Sequence, residues 1–587
     1  MNKYDERINE LRTKMADAGI DVYFISVSDF HDSEYVAEHF ACLKFMSGFT
    51  GEAAYMVITG SDAYLFVDGR YYIQAEIEIS GSSIILMKMG QPDVPEIDAF
   101  LKEKTEGRVL GFDGDVVTAF FGNKFSCEIK SDRDLVGEVW HERPAQLFEP
   151  IYELPLETTG QTCESKILRI REELKKSVPE GESYVHIINS LDDIAWIFNL
   201  RGNDIECNPV ASAWAAISED EVFLYTASKV PKDSEAYKLA KLGSYSPDCL
   251  KLKGYSHVLM DTSRIAFSIY EFYAHEGTNI INIDNPSTLM KAIKNETEIA
   301  QLKKALIKDS AVVCNFIYWL KKNVGKIPMT EVSVSDHLEE MRRAQEGFIE
   351  LSFETIAAYR ENAAQMHYAP QADSCKEIQA EGFLLVDSGG QYLEGTTDIT
   401  RTVAMGPLTD EEKKAFTLTA VSMLRLMNTK FMKGCSGENL DIMAREAMWK
   451  EGWDYKCGTG HGVGHVLNVH EGPHSIRWKF NKEHPTALMV PGMVVTDEPG
   501  VYREGRFGIR TENELLVKEY KITEDGTFYE FENLTFIPID IDAIDDVYLS
   551  VEDKDMLNKY HRSVYESVGP LLNSDVREWL KECTKEL

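Results

Sequence analysis

Five side chains between Phe383 and Glu514 have the types and the setting for metal-assisted hydrolysis: Asp387, Asp398, His461, Glu498 and Glu512. Leu384 to Asp387 predicts a strand, Ser388-Gly389-Gly390 a turn, and Gln391 to Val403 a returning strand broken at Gly395, so the two aspartates are expected to face each other across a hairpin. A pair of aspartates alone is ordinarily just solvated. Glu498, however, ends the apolar run from Met489, and Glu512 stands just before Leu515-Leu516-Val517. Carboxylates at the ends of core strands have to be paired or to bind a metal, because an isolated buried charge is too costly.

Four carboxylates and one imidazole suit two divalent cations, and the charges nearly cancel. An oxygen-rich set favours Mn²⁺, with Zn²⁺ and Co²⁺ as alternatives, whereas a thiolate-rich set would have indicated Zn²⁺. Two such ions roughly 3.5–4 Å apart share a water, lower its pKa and hold it for attack on a carbonyl. His461 lies in Gly-Thr-Gly-His461-Gly-Val-Gly, whose glycines allow the backbone to come close to something bound.

This set resembles the dinuclear site of the pita-bread metallopeptidases, which include methionine aminopeptidase, prolidase and aminopeptidase P. The stretches Met366-His367-Tyr368-Ala369-Pro370, Leu467-Asn468-Val469-His470-Glu471-Gly472-Pro473 and Gly508-Ile509-Arg510-Thr511-Glu512-Asn513 are similar to the long, three-domain Xaa-Pro aminopeptidases, and the similarity runs through essentially the whole chain. The resemblance implies an α/β and α+β fold. Two creatinase-like N-terminal α/β domains, residues 1–160 and 161–290, precede a pita-bread catalytic domain with a C-terminal extension, residues 291–587. It also implies that Asp387 binds one metal, that His461 and Glu498 hold the other, and that Asp398 and Glu512 bridge the two. A hydroxide between the metals then attacks the scissile carbonyl, and Glu498 is the candidate for moving the proton. His367 and His470 are the expected catalytic and substrate contacts, donating to the oxyanion and to the peptide. Arg510 is placed to meet the substrate or to orient Glu512.

The chain departs from the family pattern at Cys457, where long aminopeptidases P commonly carry a histidine four residues before the ligand histidine. The departure touches a substrate contact and an altered pH profile is expected; the five-ligand set is complete without the thiol. His465, His474 and His484 receive no role, and Gly472 to Pro491 reads as a surface insertion.

The chain has 587 residues, a length that corresponds to about four domains at roughly 150 residues each. Lys and Arg number 62 against 97 Asp and Glu, a net charge of −35 that argues against nucleic acid or an anionic membrane as a partner. The same charge maintains solubility and is compatible with cationic substrates. The N-terminus reads as a charged helix rather than a signal peptide, and no apolar run reaches the length of a membrane span, so a cytoplasmic location is expected. Ten cysteines without Cys-x-x-Cys spacing read as reduced thiols.

The positioning elements follow from periodicity. Tyr4 to Ala18 predicts an amphipathic helix with Ile8, Leu11 and Met15 on one face, followed by a strand at Val22 and a hairpin of Ala53 to Ile58 with Ala63 to Val67. Pro155 to Gln161 reads as a linker and Glu164 to Lys176 as a helix. Asp192-Asp193 reads as a helix start, with Trp196 and Phe198 in the core. Asn295 to Glu298 and Thr409 to Glu412 predict capped helices that open the elements between the ligand-bearing strands. Asn533 to Asp540 reads as an apolar strand, and the tail after Lys554 as helical, with Val564, Val568, Leu571 and Leu572 packed.

The resemblance therefore implies a metal-dependent exopeptidase, most simply with Mn²⁺, that acts as a homodimer on peptides with proline second. Proline fixes φ and lacks an N–H, so such peptides need a shaped pocket. The alternatives are prolidase, restricted to dipeptides, and a binding protein that keeps the fold without catalysis.

Overall fold

The computed structural model describes every residue except Met1, Glu483 and His484, so His484 lies outside the described residues. The chain divides into two compact units, Met1–Leu156 with Gln161–Thr288, and Glu157–Gly160 with Leu289–Leu587.

The first unit contains two six-stranded sheets built to one plan. In the first sheet the order is Ile85–Lys88, Ala63–Val67, Ala54–Thr59, Val22–Ser26, Val109–Gly111, Glu128–Lys130. In the second it is Lys241–Gly243, Val222–Thr226, Ala213–Ser218, Tyr184–Ile188, His257–Met260, Asn279–Asn282. Corresponding strand pairs run in the same sense in both, antiparallel on either side of Ala54–Thr59 and of Ala213–Ser218 and parallel elsewhere. The repeat is therefore one of topology, carried by sequences that differ.

The helix Lys3–Ala18 buries Ile8, Leu11 and Met15, starts on the Asn2 side chain and ends at Gly19 in the left-handed region. Asp193 is buried in the helix Leu191–Phe198, where it accepts from Asn285 Nδ2 at 3.3 Å and from Thr288 Oγ1 at 2.9 Å. It is thus a structural acceptor. The expected linker at 155–161 contains the short helix Leu156–Thr159.

In the second unit the helix Glu296–Asn323 opens on a full capping box between Asn295 and Glu298. Asp410–Met427 opens in the same way on Thr409 and Glu412 and buries Phe416, Val421 and Leu424. Two antiparallel sheets lie between the helices. One has the order Ile356–Tyr359, Phe383–Ser388, Ile399–Ala404; the other Lys430–Met432, Gly526–Asn533, Asn513–Thr523, Val494–Asp497, Gly460–Gly462, Glu471–Ile476.

Four expectations need correction here. The returning strand at 391–403 is split: Gly390–Tyr392 and Gly395–Thr396 pair with each other in a separate small sheet, and only Ile399–Ala404 returns along Phe383–Ser388. A Cβ at Gly389 would lie 1.9 Å from the Thr397 carbonyl oxygen, so the backbone crosses itself there. Residues 534–540 form no strand; among the described residues only Leu534 N–H keeps a backbone bond to the neighbouring strand, to Glu514 O at 2.9 Å. Further along, backbone groups go to side chains: Phe536 N–H donates to Ser310 Oγ at 3.0 Å, Ile537 O accepts from Tyr560 OH at 2.6 Å, and Ile539 N–H donates to His561 Nε2 at 3.1 Å. The region 472–491 is no simple surface insertion, since Glu471–Ile476 is a strand and His474 is buried in it against Val494 O at 2.7 Å. Leu571 is exposed, although Val564, Val568 and Leu572 pack as expected.

Candidate metal centre

The strand registers bring the five candidate ligands together. Asp387 lies opposite Thr400, and Asp398 immediately precedes the strand Ile399–Ala404. Glu498 leaves the end of Val494–Asp497, and Glu512 enters the start of Asn513–Thr523; Asp497 pairs with Asn513, so the two glutamates stand at the same end of adjacent strands. The two sheets meet where Glu512 N–H donates to Thr400 O at 3.1 Å. His461 sits on the next strand, with Nε2 3.4 Å from Asp398 Oδ2 and 3.4 Å from Glu498 Oε1. Ligand atoms of Asp398, His461 and Glu512 all fall within 4.8 Å of one another.

The donor set fits divalent cations on electrostatic grounds. Burial raises Asp387, Arg510 opposes the rise, and the neighbouring charge of Asp398 adds to it. Burial and then the charges of Asp398, Glu498 and Asp387 push Glu512 well above the usual carboxylate range. Asp387 Oδ1 and Glu512 Oε1 are buried without a protein partner among the described residues. Carboxylates so crowded and so dry are resolved by a cation. On the imidazole, Nδ1 faces Gly462 O at 2.9 Å. A carbonyl only accepts, so Nδ1 carries the hydrogen and Nε2 presents its lone pair to the carboxylates, the orientation a metal ligand needs.

The glycines around His461 have a different use from the one expected. A Cβ at Gly460 would stand 1.9 Å from Thr496 O, and one at Gly462 2.1 Å from Glu471 O. They let neighbouring strand backbones close in on the ligand strand, rather than making room for something bound.

Arg510 is buried and its guanidinium is turned inward. It donates to Asp387 Oδ2 through Nη2, to Tyr502 OH at 2.7 Å through Nη1 and to Thr400 Oγ1 at 3.2 Å through Nε. The expected link to Glu512 is indirect: Thr400 Oγ1, not Arg510, donates to Glu512 Oε2, at 2.7 Å. The His470 ring stands edge-on to His461, with ring centroids 4.3 Å apart. His367 follows Met366, whose carbonyl accepts from Arg510 Nη2 at 3.4 Å. Burial and the charge of Glu498 push the Cys457 thiol up to about 12, so at neutral pH it is a neutral group beside the cluster. His465 is tied to Glu394 O at 3.1 Å.

Three supporting groups escaped the sequence reading. Glu514 is buried and accepts from Asp398 N–H at 2.8 Å; the signal was a charged residue inside a core strand. Asp309 and Arg342 form a buried two-bond ion pair at 2.9 and 3.1 Å, and Asp309 also accepts from Tyr392 OH at 2.9 Å and Thr397 Oγ1 at 2.6 Å. Arg342 donates in addition to Ser388 O at 3.3 Å, so the pair grips the chain just after Asp387 and just before Asp398. Its signal was an acid within the apolar stripe of the helix Glu296–Asn323. Leu467 O accepts from Gln391 Nε2 at 2.8 Å and from Thr396 Oγ1 at 3.2 Å, which fixes the loop between His461 and His470.

Residues 300–519 match the model for metallopeptidase family M24 and residues 527–587 the C-terminal region of peptidase M24. Residues 7–137 and 142–298 each match a creatinase/prolidase N-terminal domain. The chain is 36% identical over 625 residues to a probable Xaa-Pro aminopeptidase P of Ajellomyces capsulatus (strain NAm1 / WU24), covering 99% of both chains. It is 37% identical over 617 residues to one of Coprinopsis cinerea, covering 99% of this chain and 98% of that one. Among solved structures it resembles the X-prolyl aminopeptidase of Caenorhabditis elegans, described as a cytosolic enzyme with a di-nuclear active site, at 31% identity with a TM-score of 0.92 and 99% of each chain covered. Two creatinase-like α/β domains followed by a pita-bread catalytic domain is accordingly the fold. The chain belongs to the Xaa-Pro aminopeptidases of metallopeptidase family M24.

Proposed function

We propose that the protein is a metal-dependent exopeptidase that hydrolyses the N-terminal Xaa-Pro bond of peptides. The observation that carries this reading is the convergence of Asp387, Asp398, His461, Glu498 and Glu512, with two buried carboxylate oxygens lacking a partner among the described residues. These residues would hold two divalent ions, which when bound would supply polarisation of a carbonyl and a lowered pKa for a water. The oxygen-rich set favours Mn²⁺.

The remaining work falls to this chain's own groups. Arg510 orients Asp387 rather than meeting substrate, because its nitrogens are already engaged with Asp387, Tyr502 and Thr400. Glu498 is less buried than Asp387, Asp398 and Glu512, and it takes the proton of the attacking water and returns it to the leaving proline nitrogen. That nitrogen, tertiary in the substrate, needs a proton to depart. His470, edge-on to His461, and His367 donate to the substrate as charge develops on its carbonyl oxygen.

The organisation that accompanies this reading is residues 1–160, 161–290 and 291–587, supported by two sheets of identical plan ahead of the ligand-bearing sheets. The homodimer belongs to this reading through the family resemblance; on the catalytic unit the exposed Trp449 and Trp478 contact each other edge to face at 6.0 Å. The strongly acidic composition is unsuited to nucleic acid or anionic membrane. No helix among the described residues is long and apolar enough to cross a membrane, and the Caenorhabditis elegans relative is cytosolic; a cytoplasmic location accords with both.

The test against prolidase is peptide length. Comparable kcat/KM on a dipeptide and a tripeptide, or activity on the tripeptide alone, fits the proposal; activity confined to Xaa-Pro dipeptides contradicts it.

A further inference from the structure

Glu331 is fully buried at the first turn of the helix Glu331–Arg343 and lies outside the ligand set. Its Oε1 accepts from Tyr359 N–H at 2.7 Å and Asn362 Nδ2 at 3.0 Å. Its Oε2 accepts from Asn362 Nδ2 at 3.0 Å, Tyr368 OH at 2.8 Å and Lys376 N–H at 2.7 Å. Every one of these donors belongs to the segment 359–376. His367 stands in the middle of that segment, directly before Tyr368.

A buried carboxylate with this many donors is matched to its site, because an ionised carboxylate offers only acceptors. A glutamine would turn an N–H towards one of the donors and leave it unpaired. The segment is held from its other side as well. Met366 O accepts from Arg510 Nη2 at 3.4 Å, and a Cβ at Gly508 would lie 1.7 Å from Ala363 O, so the strand Phe507–Arg510 is pressed against the turn Arg360–Ala364. His367 is thus suspended between a clamp on Glu331 and a contact with the arginine that holds Asp387.

We propose that Glu331 is a positioning residue: through Tyr368, Asn362 and the backbone of Tyr359 and Lys376 it fixes the segment that presents His367 to the substrate. The inference rests on the reading of His367 as a substrate contact. It assigns a catalytic consequence to a residue that touches neither metal ligand nor substrate.

The test uses full-length, Mn²⁺-loaded protein carrying Glu331→Gln, Tyr368→Phe, His367→Ala, and the double change His367→Ala with Tyr368→Phe. kcat and KM on an Xaa-Pro tripeptide are measured, with metal content and amide exchange of residues 359–376. Glu331→Gln is expected to keep two metals, to speed exchange in that segment and to lower kcat/KM by about tenfold or more, the scale of a small misplacement of a catalytic group. Tyr368→Phe is expected to lower kcat/KM several-fold in the parent and to add nothing once His367 is alanine. If the effects of Tyr368→Phe and His367→Ala multiply, or if Tyr368→Phe leaves kcat/KM unchanged in the parent, the positioning role is overturned even where Glu331→Gln does not fold. If His367→Ala alone is fully active, it is the role of His367 that fails, a result separable from the first.

Discussion

Arg510 donates to one oxygen of Asp387, and the other oxygen of that carboxylate is buried with no partner among the described residues. Half of the group is thus held by a fixed cation and half is presented to the site.

Removing the fixed cation separates these functions. Arg510→Met is expected to weaken metal binding by about 10–100-fold, the usual loss when the group orienting a metal ligand is removed. Dialysis against graded chelator reads the affinity; an unchanged value would mean that Arg510 does not orient Asp387.

Glu498→Ala removes the proposed proton carrier from a position where its Oε1 stands 3.4 Å from His461 Nε2 and accepts from Thr496 Oγ1 at 3.3 Å. kcat is expected to fall by at least about 10²–10⁴-fold, the range for loss of a general acid–base group, and further if a metal is lost with it. Circular dichroism is expected to report an unaltered fold. A folded and active variant would remove Glu498 from the mechanism.

Asp309 and Arg342 make the most consequential buried ion pair away from the ligands, because they grip both ends of the excursion between Asp387 and Asp398. Arg342→Met leaves Asp309 charged and unpaired and is expected to cost about 3–5 kcal/mol. Adding Asp309→Leu is expected to recover part of the loss. Urea denaturation followed in the catalytic unit measures both, and a neutral single variant would refute the assignment.

Acid sensitivity follows from buried histidines. Burial lowers His186, His474 and His561 to about 4, from an ordinary value of 6.5. Between those values the unfolded chain binds more protons than the folded one, so their contribution is complete above pH 6.5 and is lost as pH falls towards 4, on the order of 3 kcal/mol for each histidine. Burial would raise Glu471, but the charges of Lys291 and Lys294 outweigh it and hold it at about 2. Its contribution is present above its ordinary 4.5 and disappears as pH falls through 2, so it extends the loss to lower pH. The urea midpoint is expected to fall between about pH 7 and pH 4.5, and a flat profile would contradict the histidine assignment.

The candidate ligands were readable as chemically unusual positions because charged residues at the ends of apolar runs are rare and costly, and because each run is a strand whose end is marked by chain chemistry. Capped helices at Asn295 and Thr409 were readable for the same local reason. What the residues did not disclose is pairing at a distance. Nothing near Arg510 says that it turns to Asp387 rather than Glu512, and nothing near Gly460 says that the carbonyl of Thr496 lies against it. The apolar residues of 534–540 announced burial correctly, but Pro538 lacks an N–H and the neighbouring backbone is satisfied by Ser310, Tyr560 and His561, so no strand forms. Burial was legible from composition; the identity of the hydrogen-bond partner was not.

The most direct measurement compares Arg-Pro-Pro, Arg-Ala-Ala, N-acetyl-Arg-Pro-Pro and Arg-Pro as substrates for chelator-stripped protein, with Mn²⁺ restored and without it. Release of arginine from Arg-Pro-Pro only when metal is restored, with Arg-Ala-Ala and the acetylated peptide left intact, is the predicted result. Cleavage without metal, cleavage of the dipeptide alone, or no cleavage by protein carrying two metals would contradict the assignment of this site to Xaa-Pro aminopeptidase chemistry.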